Sequence, residues 1–320
     1  MRHHAISGSL LVADVGGTNA RFSLVTAEGQ LTHALKLKCA EYSEFVTLLQ
    51  EYLERLDVAR PAKACIAVAA PVFGDWVEIT NNHLSFSIST VEQALGLDRL
   101  HVVNDFEALA RSLPSLPRED LISIGGNKAL PAGNKVVLGS GTGLGVAGLV
   151  AMGGEWQPVV GEGGYIDVAP KTQYEHAVWQ NIFARHGRVS GERILSGPGL
   201  QELFRAINEV NGYDQKNHSP EIIVGNAVDN ICSTSKDTID LFCAFLGDVA
   251  GSIGLIFGAR GGVYLGGGIL LRILPLLEKS HFRKRFEDKG RISSYMKDVP
   301  TLVINDTTSA LKGCVSAFNG

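Results

Sequence analysis

The sequence predicts an α/β protein with two domains that share one design. The main indication is a repeat: a strand, a glycine-rich polar loop, a second strand, a turn and a third strand follow one another from Leu10, and the same order returns from Lys135. Segments with helical spacing of apolar residues follow each of these meanders, which is typical of sheets covered by helices. A chain of 320 residues is long enough for two domains of ordinary size.

A change in composition predicts the boundary between the domains. Residues 114–134 are rich in proline, glycine and serine and separate the two meanders. We therefore expect a small N-terminal α/β domain over residues 1–114 and a larger α/β domain over residues 115–320. The alternative is that the C-terminal helix returns to the first domain.

The first half of the chain alternates between strand and helix patterns. Tyr42, Phe45, Leu49 and Tyr52 recur at helical spacing, whereas residues 63–72 form an apolar, β-branched run typical of a strand buried on both faces. On such patterns we expect two strands within residues 10–25 and further strands at 33–39, 63–72, 77–80 and 101–106. Helices are expected at 42–56, 90–97 and 107–113.

The second half opens with a meander and continues mainly as helices. Strands are expected at 135–138, 146–151, 155–160, 262–265 and 301–305. Helices are expected at 172–185, 199–211, 221–231, 236–258 and 269–278 and at the C-terminus. Residues 288–291 are predicted to form a solvated turn.

The composition favours small, specific partners. A net charge of −4 with 19% charged residues argues against general affinity for nucleic acid or an anionic membrane. Five widely spaced cysteines without a C-x-x-C motif indicate reduced, structural thiols, and residues 1–9 are too polar for a signal peptide, so we expect a cytoplasmic protein. Residues 241–258 are apolar, but Asp248 near their centre favours a buried core helix over a membrane span.

The loop that follows the first strand has the chemistry of a phosphate site. Gly16 and Gly17 let backbone N–H groups approach an anion, Thr18 and Asn19 add side-chain donors, and Asp14 places a carboxylate where a hydrated metal can sit. An ordinary glycine-rich hairpin turn explains the same residues equally well.

Two further glycine clusters suit nucleotide contact. Residues 139–145 repeat the polar glycine loop, and Gly266, Gly267 and Gly268 join a strand to a helix start, where absent side chains admit a base or ribose. Close packing at a helix start is the alternative for the second cluster. No Walker P-loop occurs, and the run 139–145 does not fit G-x-G-x-x-G because Leu144 occupies the place of the last glycine. No metalloprotease, serine-elbow or Cys/His metal pattern is present.

Carboxylates recur beside amide and backbone groups in apolar surroundings. Asp105 follows Asn104 at a strand end, and Glu162 and Glu192 lie in glycine-containing segments. Such carboxylates can clamp a polyhydroxylated ligand, because each accepts hydrogen bonds from two hydroxyl groups. The alternatives are an N-cap role for Asp105 and a solvent-exposed position in the first helical turn for Glu192.

Together these motifs resemble a known family. Two domains built on the same meander, each offering a glycine hairpin to a shared cleft, resemble the actin-like (ribonuclease H-like) fold of hexokinases, actin and chaperone ATPases. The segments 14–21, 104–106, 139–145, 161–164 and 192–199 occur in the order and at the intervals found in bacterial ATP-dependent glucokinases. The similarity extends over most of the chain, to Gly268 and beyond.

The resemblance implies phosphorylation of the glucose 6-hydroxyl by MgATP, the first step of glycolysis, in a homodimer. It makes Asp105 the general base and assigns the sugar to Asn104, Asp105, Glu162, Tyr165 and Glu192. It assigns ATP to Ala13, Asp14, Val15, Gly16, Gly17, Thr18, Asn19 and Arg21, to Gly141, Thr142 and Gly143, and to Gly266, Gly267 and Gly268. Asp14 is the expected partner of Mg²⁺, through water.

One departure from the family pattern leaves the identity of the preferred sugar undecided. Tyr165 stands where these glucokinases have a histidine that touches sugar hydroxyls, so sugar preference can differ. The alternatives are a kinase for another hexose or amino sugar and a non-catalytic sugar sensor of the same fold. Sensors of that kind usually carry a helix-turn-helix ahead of the first loop, and only 13 residues precede Asp14, so we expect none here.

Overall fold

The computed structural model describes residues 9–80, 82–126, 128–214 and 217–319. Residues 1–8, most of the polar segment discussed above, lie outside this part of the chain. The contacts divide the protein into two compact units. The first unit runs to Leu116 and includes the chain from Asp306 onward, and the second is Pro117–Asn305.

The secondary structure alternates as expected for an α/β protein. The strands are β1 (Leu10–Val15), β2 (Asn19–Val25), β3 (Leu31–Lys38), β4 (Lys63–Val68), β5 (Trp76–Glu78), β6 (Ser85–Ser87), β7 (Arg99–Asn104), β8 (Leu121–Gly125), β9 (Lys135–Ser140), β10 (Leu144–Met152), β11 (Glu155–Gly161), β12 (Gly262–Gly266) and β13 (Thr301–Ile304). The helices are α1 (Phe45–Glu54), α2 (Ile88–Leu95), α3 (Asp105–Ser112), α4 (Gln173–His186), α5 (Gly191–Ile194), α6 (Gly197–Asn211), α7 (Pro220–Val228), α8 (Ser233–Ile256), α9 (Gly268–Arg272), α10 (Leu274–Leu277), α11 (Phe282–Glu287), α12 (Ser293–Asp298) and α13 (Ser309–Asn319).

The first unit is built on a sheet with the strand order β3-β2-β1-β4-β7. β1 pairs antiparallel with β2 and parallel with β4. Alternate residues of β1 enter different cores: Leu11 and Ala13 pack with α1, whereas Leu10 and Val12 pack with α13. Burial on both faces explains why this strand is apolar at every position except Asp14.

The second unit repeats this arrangement in a sheet with the order β11-β10-β9-β12-β13-β8. β9 pairs antiparallel with β10 and parallel with β12, as β1 does with β2 and β4. Both meanders and both glycine hairpins predicted from the repeat are therefore confirmed. The duplication places a glycine loop after the first strand of each meander, β1 in the first unit and β9 in the second.

The long apolar segment forms α8, which is long and apolar enough to span a membrane, yet 72% of its most apolar window is buried within the protein. The prediction of a core helix is confirmed. Asp248 is accommodated by ion pairs with Lys171, at 2.7 Å, and with Arg285. Arg285 also pairs with Glu175 at 2.6 Å, which gives a buried ionic cluster. All five cysteines are free, as expected.

Four local predictions are wrong. Residues 114–134 contain the edge strand β8, which pairs with the distant β13 and therefore has little local signal. The expected helix at 269–278 is interrupted at Ile273, because Pro275 lies in the first turn of α10 and cannot continue the preceding hydrogen bonds. The short helices α11 and α12 were not predicted. The strand expected at 101–106 is too long, because β7 ends at Asn104 and α3 begins at Asp105. The solvated turn expected at 288–291 is largely confirmed, since Asp288, Gly290 and Arg291 are exposed.

Candidate functional site

The first glycine loop, Gly16–Thr18, joins β1 to β2 and has its carbonyl groups occupied. Gly16 O accepts from Asn82 Nδ2 at 3.1 Å, and Thr18 O accepts from the Cys39 N–H at 3.0 Å. The N–H groups of Gly17 and Thr18 have no acceptor among the described residues. Adjacent backbone donors without acceptors are the requirement for an anion site. Gly17 and Thr18 also line an open pocket with Ala40, Asn82 and His83.

Asp14 lies at the end of β1, directly before this loop. Arg21 Nη1 donates to its Oδ2 at 3.1 Å across the β1–β2 pair. Burial raises the pKa of Asp14, and the charge of Arg21 opposes that effect. No group of three or more His, Cys, Asp or Glu side chains suited to a metal occurs in the described parts of the chain. A single carboxylate fits a Mg²⁺ ion that keeps most of its water and phosphate ligands, rather than a protein-built metal cage.

Asn104 and Asp105 occupy the junction of β7 and α3. The Asn104 side chain caps α3 by accepting from the N–H groups of Phe106, at 3.0 Å, and Glu107, at 3.2 Å. The N-cap interpretation of Asp105 is therefore wrong, because its neighbour performs that role. Asp105 Oδ1 accepts from Asn104 Nδ2 at 3.1 Å and from Phe106 N at 3.0 Å. The carboxylate is thus oriented at a helix N-terminus, which favours negative charge.

The second glycine loop, Gly141–Gly143, joins β9 to β10. Gly141 O accepts from the Gly197 N–H at 2.8 Å, and Gly141 N donates to Gly143 O at 2.9 Å. The N–H groups of Thr142 and Gly143 have no acceptor within the described residues. This loop therefore also presents adjacent donors to an anion.

The glycine turn after β12 lies against the start of the second loop. Gly267 has a φ of 102°, and a Cβ there would lie 2.2 Å from Ser140 O. Both the backbone conformation and the close approach require glycine. Close packing, the alternative proposed for this cluster, thus explains Gly267. A Cβ at Gly268 would have no heavy atom within 4 Å, so this position leaves room beside the loop.

The acidic residues of the second unit gather beside the same loop. Glu192 Oε2 accepts from the Leu144 N–H at 3.0 Å, so this half-buried carboxylate is not the solvated helix residue of the alternative interpretation. A hydrogen bond to Glu192 and the charges of Glu192 and Glu162 raise the pKa of Tyr165. The Tyr165 phenol therefore lies close to Glu192, with Glu162 near enough to act on the same group.

Close backbone packing fixes this acidic group. A Cβ at Gly164 would lie 2.0 Å from Leu144 O, and a Cβ at Gly191 would lie 3.0 Å from Gly164 O. The segments carrying Glu162 and Glu192 are therefore held against β10, immediately after the second loop. Within the second unit the structure brings together every residue predicted there to contact sugar or nucleotide.

Sequence analysis missed Asn82. It belongs to the β5–β6 hairpin, yet its amide reaches Gly16, 66 positions earlier in the chain. In the sequence Asn82 is simply a polar residue two positions before Leu84, and nothing near it indicates so distant a contact. Within the first unit, the Ala69 N–H donates to Val15 O at 3.0 Å, and the side-chain amide of Asn104 donates from Nδ2 to Ala70 O at 3.1 Å. These two bonds link the loop strand and the Asn104–Asp105 corner to the same segment.

Comparisons with known proteins agree with this arrangement. The family model described as Glucokinase matches residues 11–319. A glucokinase from Saccharophagus degradans is 42% identical over 310 residues, which cover 96% of this chain and 97% of that protein. The crystal structure of a glucokinase from an Antarctic psychrotroph has a TM-score of 0.87 at 34% identity and covers 98% and 99% of the two chains. A more distant neighbour, a ROK family glucokinase from Streptomyces griseus solved with glucose and AMPPNP, shares the fold at a TM-score of 0.65, with 20% identity and coverage of 98% and 100%. The chain belongs to the glucokinase family.

Proposed function

We propose that this protein transfers the γ-phosphoryl group of ATP to the 6-hydroxyl of glucose, giving glucose 6-phosphate and ADP at the start of glycolysis. The observation that carries the proposal is the pair of glycine loops, each with adjacent backbone N–H groups that have no acceptor among the described residues. Phosphoryl transfer requires mainly positioning and charge stabilisation, which such loops supply. Family membership points to glucose as the acceptor.

Asp105 is the proposed general base. Its carboxylate is held by Asn104 and by the Phe106 N–H, which restricts its rotation. In this role it accepts the proton of the 6-hydroxyl as the hydroxyl oxygen attacks the γ-phosphorus and the bond to the β-phosphate oxygen breaks. Asn104, Glu162, Tyr165 and Glu192 are proposed to hold the other hydroxyl groups.

The nucleotide is assigned to the glycine clusters. Residues 13–19 with Arg21 and residues 141–143 are proposed to bind phosphate oxygens, and Gly266–Gly268 the adenosine. Asp14 is proposed to hold Mg²⁺ through water, and the cation when bound neutralises phosphate charge. Because Arg21 already pairs with Asp14, the carboxylate is oriented before any cation arrives.

An assay of ADP release across a panel of hexoses tests this function. We expect rapid, sugar-dependent release with glucose and little release without sugar. ADP release that does not depend on sugar would indicate an ATPase instead. A preference for mannose or an amino sugar would favour the second candidate, a kinase for another sugar, which is suggested by Tyr165 in the place of histidine.

Two further expectations from the family resemblance remain proposals. We propose a homodimer, which sedimentation of the purified protein tests directly. We also propose a cytoplasmic location, in keeping with five free cysteines, which fractionation of the source cells tests.

A further inference from the structure

We propose that Asn82 is a positioning residue for the first glycine loop, holding the Gly16 carbonyl so that the N–H groups of Gly17 and Thr18 stay available to a nucleotide phosphate. The inference rests on the proposed function, because it assigns that loop to ATP. It concerns a residue in neither the sugar group nor the glycine clusters.

The geometry orients the Asn82 side chain completely. Its Nδ2 donates to Gly16 O at 3.1 Å, and its Oδ1 accepts from the Leu84 N–H at 3.1 Å. Because a backbone carbonyl can only accept and an N–H can only donate, these two bonds fix which end of the amide carries the hydrogens. The Asn82 N–H also donates to Ile79 O at 3.2 Å, which anchors the residue in its own hairpin.

The other bonds that shape the loop are two from the backbone and a weak one from a thiol, since Cys39 Sγ lies 3.6 Å from Gly16 O. Gly16 N donates to Asn19 O, and Cys39 N donates to Thr18 O, both at 3.0 Å. The Asn82 amide therefore makes a hydrogen bond to the loop that a side-chain substitution can remove while the backbone hydrogen bonds stay in place. Without it Gly16 O loses a donor, and the peptide between Gly16 and Gly17 becomes freer to rotate. Rotation of that peptide also turns the Gly17 N–H.

Asn82→Asp is the sharpest variant. The aspartate retains an oxygen for the Leu84 N–H but places a second oxygen opposite Gly16 O, which replaces attraction with repulsion. We expect the KM for ATP to rise about tenfold, because one hydrogen bond is lost and a repulsion takes its place. The kcat and the KM for glucose should stay within about twofold. Asn82→Ala, which removes the bond without repulsion, should raise the KM for ATP by a smaller factor, about threefold.

Asn134 offers a matched control in the second unit. Its Nδ2 donates to Phe257 O at 2.9 Å and its Oδ1 accepts from the Ala151 N–H at 3.2 Å, so it also bridges two distant segments through both ends of the amide. Asn134→Asp should lower Tm to a similar extent and leave the KM for ATP unchanged. An equal rise in both Asp variants would show a general loss of stability and would overturn the proposal.

The remaining outcomes separate this inference from the proposed function. An unchanged KM for ATP in folded Asn82→Asp and Asn82→Ala, with glucose-dependent activity intact, overturns the positioning role alone. Should Asn82→Asp fail to fold, the threefold effect of Asn82→Ala decides the matter. Wild-type protein that phosphorylates no sugar refutes the proposed function, and the role of Asn82 falls with it.

Discussion

The two glycine loops have the same strand–loop–strand setting but are braced by different chemistry. In the first, Gly16 O is held by a side-chain amide from a hairpin, and the neighbouring acid, Asp14, has its own counter-ion in Arg21. In the second, Gly141 O is held by a backbone N–H at the start of α6, and the neighbouring acid, Glu192, binds the loop strand directly. The repeat accounts for the presence of a glycine loop in each unit. The packing around each loop determines which groups form hydrogen bonds to it.

This difference predicts that substitutions in the two units change different kinetic constants. The first unit carries the proposed base on a corner linked to the loop strand through residues 69 and 70. The second carries the proposed sugar-binding acids, one of which, Glu192, is hydrogen-bonded to Leu144 at the end of its loop. Changes near the first loop should alter kcat or ATP binding without altering sugar binding, whereas changes at Glu192 should alter both substrates.

The largest effect is expected from Asp105→Asn. The amide keeps the shape of the side chain but cannot accept the hydroxyl proton, so kcat should fall by at least about 100-fold. The KM for glucose and the affinity for ATP should change little. Steady-state kinetics with an ATP-analogue titration checks this, and near-normal turnover would remove Asp105 from the mechanism.

Glu192→Gln should weaken the binding of both substrates. A neutral amide is a poorer acceptor for sugar hydroxyls and for the Leu144 N–H, so we expect the KM for glucose to rise about 10- to 30-fold and the KM for ATP by a smaller factor. Initial rates over a grid of both substrates measure the two constants. A change confined to glucose would break the proposed link between this acid and the second loop.

Gly143→Ala tests the same link from the loop side. A Cβ at Gly143 would lie 2.5 Å from Glu192 Oε2, so the carboxylate must move away from Leu144 N. We expect about a fivefold rise in the KM for each substrate, since one charge-assisted hydrogen bond is weakened. Gly141→Ala is the matched control, because a Cβ there would meet no heavy atom within 4 Å. Equal effects in the two variants would indicate general loss of loop freedom.

Tyr165→His and Tyr165→Phe should have smaller effects, about two- to fivefold on the KM for glucose. Phe removes the hydroxyl that bonds Glu192, whereas His restores the residue type of the resembled glucokinases. The ratio of kcat/KM between glucose and mannose measures preference. Identical ratios in all three proteins would show that residue 165 does not set it.

The ionic cluster predicts an acid-sensitive second unit. Burial alone would raise the pKa of Glu175, but hydrogen bonds and the charge of Arg285 outweigh burial and lower it. This stabilisation is complete above the ordinary Glu pKa of about 4.5 and is lost as the pH falls through the lowered value. Tm should drop by a few degrees across that window, and by less in Glu175→Gln. If Tm fell equally with pH in the wild type and in Glu175→Gln, Glu175 would not be the source of the acid sensitivity.

The fold was largely predictable because its strongest signals are local. An apolar run, residues 10–13 in β1 and 136–138 in β9, precedes each glycine loop, and this repeated pattern reveals the duplication. β8 was missed because its pairing partner β13 lies far away along the chain. The helix α11 was missed because six residues carry only two apolar positions of a helical repeat, Phe282 and Phe286, although both side chains are fully buried.

The candidate site was predictable only as a set of residues. Glycines and carboxylates mark it in the sequence, but the capping role could be assigned to Asn104 rather than Asp105 only from hydrogen-bond geometry. The contacts of Asn82 with Gly16 and of Glu192 with Leu144 join segments 66 and 48 positions apart. Such contacts follow from packing and have no local pattern.

The central claim is that both loops serve the phosphates of one nucleotide, and binding of AMPPNP to a matched pair of variants tests it most directly. Thr18 and Thr142 are exposed residues of the first and the second loop, so Thr18→Asp and Thr142→Asp should fold and should each add a charge that repels phosphate. Calorimetry should show one nucleotide per chain for the wild type and at least tenfold weaker binding for each variant. Two nucleotides per chain, or one variant with wild-type affinity, would contradict the account.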